Sequence, residues 1–178
     1  MQPIDLAQNF FGARPEHSRL DAGRGLLLRN DGRGNFKAVP AGESGIEIYG
    51  EQRGAAAGDF DGDGRVDLVV GQNSGSTELF RNVTARPGLR VRLRGGAGNP
   101  EAIGAVMRVT FQDGRLGPAR ELHRGSGWLS CDSPVTVLAM PVSARALHIR
   151  WPDGRETVSP LAAGVAAVTV NSDGTLAP

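Results

Sequence analysis

The sequence contains almost no cysteine. Cys131 is its single copy among 178 residues, so the chain cannot close an internal disulfide. A lone thiol reads as a small, half-buried residue. An excess of one charge sign is also missing: 20 basic residues face 19 acidic ones, for a formal net charge of +1. That balance argues against a dedicated binder of nucleic acid or of a charged membrane surface. Long hydrophobic runs are absent, so no membrane span is expected. The first residues, Met1-Gln2-Pro3-Ile4-Asp5, lack the basic and apolar stretches of a secretory leader. The expectation is either a protein kept inside the cell or a chain missing its natural beginning. No amphipathic helix of convincing length appears. The three histidines, His17, His123 and His148, share no metal-binding spacing. Ser126 lies in Gly125-Ser126-Gly127 and lacks the flanking frame of a nucleophile elbow. Nothing in the sequence points to catalysis in this chain.

Turns and short strands dominate what is present. Glycine occurs 26 times and proline 11 times, with short apolar runs between them. This is an all-β profile. Strands are expected at Leu26–Asn30, Asn35–Val39, Ala55–Gly58, Asp67–Gly71 and Thr77–Asn82. Further ones are expected at Leu89–Arg94, Ala105–Phe111, Arg120–His123, Val135–Met140, Ala146–Trp151 and Ala167–Val170. Residues 40–53 read as a linker. Apolar residue-Arg-Asn recurs at Leu28-Arg29-Asn30 and Phe80-Arg81-Asn82, a spacing of about 50 residues that suits a propeller blade. Alternation places Leu89, Val91, Leu93, Val109, Leu147, Ile149 and Val168 in a core. Arg90, Arg92 and Arg94 then form the opposite, solvated face, their stems covering the sheet. Trp151 shares the parity of Leu147 and Ile149 and reads as core. Trp128 lies among turn residues and is the candidate surface platform for a sugar or another ring.

The most informative segment is Asp59-Phe60-Asp61-Gly62-Asp63-Gly64-Arg65-Val66-Asp67. Carboxylates at positions 1, 3, 5 and 9 converge only if the backbone curls tightly, and Gly64 permits the turn. Inward-facing carboxylates repel one another unless a hard cation neutralises them. Calcium suits such a set, because it accepts six to eight oxygen ligands in flexible geometry. A solvated Asp/Gly turn is the plainer alternative. Position 12 is Val70 rather than glutamate, and the flanks read as strands, so this is not an EF-hand.

Two stretches carry a family resemblance. "GAAAGDFDGDGRVDLVVGQNSGSTELFRN" resembles an FG-GAP/VCBS-type repeat, the calcium-binding blade of integrin-like propellers. The stretch from Leu89 to about Glu156 resembles the ASPIC/UnbV domain. Its matching motifs are Gly98-Asn99 through Ile103-Gly104-Ala105, Gly125 to Ser130 with Ser133-Pro134, and Arg150 to Arg155. That domain follows such propellers in bacterial secreted proteins and in the animal cartilage acidic protein family. The resemblance implies a partial β-propeller of one to two blades over residues 1–86. It implies a small antiparallel β-sandwich or barrel-like domain over 87–178. It implies calcium ligation by Asp59, Asp61, Asp63 and Asp67, with the Arg65 carbonyl as backbone ligand. The implied function is a non-catalytic, calcium-binding module for binding or adhesion, directed at a protein or glycan, extracellular or periplasmic in the intact family. The alternative is an accessory region of a secreted enzyme whose catalytic domain is not in this chain. The incomplete ring also predicts an uncovered strand edge, with Leu26, Leu28, Val69, Leu79 and Phe80 packing against the second domain or another chain.

Overall fold

The computed structural model describes residues 4–7, 16, 23–125 and 127–177. Two compact units result. The first takes the described parts of Met1–Ala57, together with Asp67–Arg81 and Gly125–Cys131. The second takes Gly58–Val66, Asn82–Arg124 and the described part of Asp132–Pro178. The sequence-based expectation for Ser126 lies outside the described residues, as does that for His17.

The first unit contains two three-stranded sheets. One orders β1 (Ile4–Leu6), β2 (Leu26–Asn30) and β3 (Phe36–Val39) side by side, all antiparallel. A single helical turn, α1 (Ala41–Ser44), follows within the expected linker and ends at Gly45 in the left-handed region. The other sheet orders β4 (Glu51–Gly58), β5 (Asp67–Asn73) and β6 (Glu78–Phe80). Its third strand is the one expected at 77–82. Ile46, Ile48 and Val70 form the core, with Leu27, Ala55, Leu68 and Phe80 packed against it. The short turn 127–130 lies against β4, where a Cβ at Gly54 would come within 2.8 Å of the Trp128 carbonyl oxygen. Glycine at 54 permits that approach. Cys131 closes this segment and is exposed, not half-buried as the sequence suggested, because it lies in irregular chain just after the turn.

The second unit is two four-stranded sheets. β7 (Leu89–Arg94) lies between β10 (Val135–Leu138) and β13 (Ala167–Asn171), with β14 (Leu176–Ala177) beyond. β11 (Ala144–Arg150) lies between β12 (Glu156–Pro160) and β8 (Val106–Phe111), with β9 (Arg120–Glu121) beyond. One pair, β13 with β7, is parallel; the others in this unit are antiparallel. Neither sheet closes, so this is a sandwich and not a barrel. Leu89, Val91 and Leu93 of β7 share one core cluster with Met107, Val109 and Phe111 of β8 and with Leu147 and Ile149 of β11. Val168 packs partly buried against it. Trp151 is in the core at 2% exposure.

Strand β12 escapes sequence reading because its polarity is inverted. Thr157 and Ser159 pair with Ile149 and Leu147 and so face inward, while Val158 faces outward and is exposed. The two inward hydroxyls are satisfied. Thr157 Oγ1 accepts from the Trp151 indole at 2.9 Å, and Ser159 donates to the Gly174 carbonyl at 2.7 Å.

Four turns share one device. Asp31, Asp113, Asp153 and Asp173 each precede a glycine with positive φ and accept the backbone N–H two residues on, at 2.7–3.0 Å. Bonds to Asn35 hold the Asp31 carboxyl below the usual range; the Arg115 backbone does so for Asp113, the Arg155 side chain for Asp153 and the Thr175 hydroxyl for Asp173. A depressed folded-state value means stability present above the ordinary pKa of 3.8 and lost as pH falls through the folded value. Carboxyl NMR titration of the folded protein is expected to place all four midpoints below an ordinary aspartate. Midpoints at or above that value would contradict these turns.

Candidate metal centre

The loop from Asp59 to Val66 joins β4 to β5. Its curl depends on glycine: Gly62 and Gly64 have φ of 79° and 81°, a region that L side chains rarely adopt. Gly64 is buried and its N–H donates to Asp59 Oδ2 at 2.9 Å. The Asp63 N–H donates to Asp61 Oδ1 at 3.3 Å, and the Arg65 N–H to Asp63 Oδ1 at 2.8 Å. Each carboxylate thereby folds back over its own turn.

Three of the four aspartates come together. Asp59, Asp61 and Asp67 each offer a carboxylate oxygen within 4.8 Å of the others. They lie within nine consecutive residues, so the loop's own backbone sets the cluster. Asp67 is 3% exposed, and the Asp59 side chain is fully buried. Asp59 Oδ1 has no hydrogen-bond partner among the described residues. A buried carboxylate oxygen with no donor is costly to maintain. Hard oxygen donors of this kind, one of them open, fit a calcium ion.

Asp63 lies outside the trio. Its Oδ2 takes Arg65 Nη1 at 2.6 Å, and Arg65 Nε reaches the Ala85 carbonyl at 2.7 Å. Arg65 therefore acts here through its guanidinium, which ties the loop to the segment entering β7. The Gly88 N–H donates to the Gly64 carbonyl at 2.7 Å, and Asn82 Nδ2 donates to the Val66 carbonyl at 3.2 Å. Asn82 Oδ1 accepts from the N–H groups of Thr84 and Ala85.

Sequence reasoning missed Arg90. It was grouped with Arg92 and Arg94 on a solvated face, and those two are exposed. Arg90 instead places Nε 2.6 Å from Asp59 Oδ2, with its side chain 32% exposed. Strand parity does put it on the outward face; the loop covers that face at this one position. No local signal marks the pairing, which spans 31 residues of sequence.

The remaining candidates lie elsewhere. Trp128 is 74% exposed beside exposed Leu129 at the tip of the 127–130 turn. His148 faces Glu156 at 3.3 Å on the sheet surface. Among the described residues no helix is long and apolar enough to cross a membrane.

Comparison with known proteins matches the loop and the sandwich separately. The FG-GAP-like repeat family matches residues 12–87, and the family described as ASPIC and UnbV matches residues 95–176. Cartilage acidic protein 1 of Xenopus tropicalis is 33% identical over 70 residues, covering 39% of this chain and 11% of that protein. The match thus spans about a tenth of the relative's length. The carboxylate loop between β4 and β5 falls inside the first match, and the strands of the sandwich from β8 to β13 fall inside the second, so a match to FG-GAP-like repeats is followed along the chain by a match to ASPIC and UnbV.

Proposed function

We propose that this chain is a calcium-binding, non-catalytic module of extracellular type, which presents a surface to a protein or glycan. One observation carries the reading: Asp59, its side chain fully buried, keeps an unsatisfied oxygen inside a trio of converging carboxylates. Asp59, Asp61 and Asp67 would hold the ion. Asp63 would join them by exchanging the Arg65 guanidinium for it, and the Arg65 carbonyl is the expected backbone ligand. The ion supplies charge neutralisation and stiffens the loop; no chemistry is asked of it. An affinity of about 10⁻⁴–10⁻³ M suits extracellular calcium. Trp128 and its neighbour Leu129 are among the exposed apolar side chains open to contact, and a glycan array and pull-down with and without calcium would identify what they meet.

Calorimetry with calcium chloride tests the metal. One ion per chain is expected, with a melting temperature that falls on chelation. Calcium at a hundredfold excess over its dissociation constant adds about 2.7 kcal/mol. Asp61→Ala is expected to abolish the increment. Asp61 is exposed, so its loss removes no core packing, and a melting curve of the metal-free variant checks that it is folded. Absence of binding at millimolar calcium would overturn the reading.

A further inference from the structure

We propose that Arg90 is the loop's resident cation, a guanidinium whose charge opposes calcium at Asp59 and so sets the site's affinity. This rests on the calcium reading above. The Asp59 side chain is fully buried, and Arg90 reaches it with Nε 2.6 Å from Oδ2. The contact is one of charge: Arg90 Nε is buried and makes no aligned hydrogen bond despite the short distance. The guanidinium lies over Gly62, where a Cβ would stand 3.6 Å from Nη2, so the loop leaves room for it beside the carboxylates. Arg65 engages Asp63 and the Ala85 carbonyl and so does not serve Asp59. A positive charge held on Oδ2 of a ligand's own carboxylate opposes a divalent ion at the open Oδ1 through direct repulsion.

A purely positioning role makes the opposite prediction. If Arg90 only orients Asp59, removing it loosens a ligand and weakens binding. If Arg90 opposes the ion, removing its charge strengthens binding. Calcium titration of the full chain separates the two. Arg90→Gln is expected to bind about tenfold more tightly than wild type at low ionic strength. Arg90→Lys, which keeps the charge, is expected to stay within about threefold of wild type, because the repulsion persists. In wild type the Arg90 Nε–H resonance is expected to shift on calcium addition. Binding by wild type with equal or weaker binding by Arg90→Gln overturns the inference and leaves the calcium reading standing. If neither protein binds calcium, both fall. A melting curve of each metal-free variant confirms that the comparison is between folded proteins.

Discussion

Trp151→Ala is expected to cost about 3–5 kcal/mol of stability, the range for truncating a buried tryptophan. Trp151 follows β11 directly and is 2% exposed within the cluster of Leu147, Ile149 and Met107. Its indole N–H donates to Thr157 Oγ1 at 2.9 Å, so truncation opens a cavity and also leaves an inward hydroxyl of β12 without its partner. The surrounding turn cannot collapse to fill the space. Its backbone is tied by the Trp151 N–H to the Arg155 carbonyl at 2.8 Å and by the Gly154 N–H to the Trp151 carbonyl at 2.9 Å. Trp151→Phe retains most of the apolar area and is expected to lose about 1–2 kcal/mol. Trp128→Ala, at an exposed tip, is expected to stay within about 0.5 kcal/mol. Urea unfolding followed by far-UV circular dichroism measures all three. A loss below about 1 kcal/mol for Trp151→Ala would show that the residue is not part of the core.

Gly88→Val is expected to destabilise the second unit by about 3 kcal/mol and to weaken calcium binding with it. Gly88 is buried at the entrance to β7. A Cβ there would come within 2.5 Å of the Leu138 carbonyl oxygen and 2.7 Å of Val137 Cγ1. The first obstacle is backbone in a paired strand and the second is a β-branched side chain with one dominant rotamer, so neither yields cheaply. Displacing Gly88 also breaks its N–H bond to the Gly64 carbonyl, which holds the loop's second glycine in its turn. Paired thermal melts with and without calcium test both effects. Wild-type stability would show that β10 can retreat, and an unchanged calcium increment would show that the loop keeps its shape without Gly88.

Much of the fold was legible because alternation and turn chemistry are local. The strand Leu89–Arg94 was read to the residue, and its buried parity was correct throughout. β12 was missed because its inward residues are threonine and serine, whose polarity is cancelled by partners outside the strand, Trp151 and Gly174. β14 is two residues long, too short to show a period. The parallel pairing of β13 with β7 also has no local mark, since register between strands so far apart depends on which faces the whole unit buries.

The carboxylate loop shows the same division at closer range. Sequence alone placed Asp59, Asp61, Asp63 and Asp67 on one tight curl, because glycine spacing and short-range N–H bonds to carboxylate oxygens act within nine residues, and three of the four do face one another. Tertiary structure alone decided that Asp63 turns to Arg65 while Arg90 attends Asp59, and that one oxygen of Asp59 is buried without a partner. Local spacing limits where a side chain can point. Burial and charge pairing depend on what the rest of the chain brings against it, and for Asp59 that is a strand 31 residues further on.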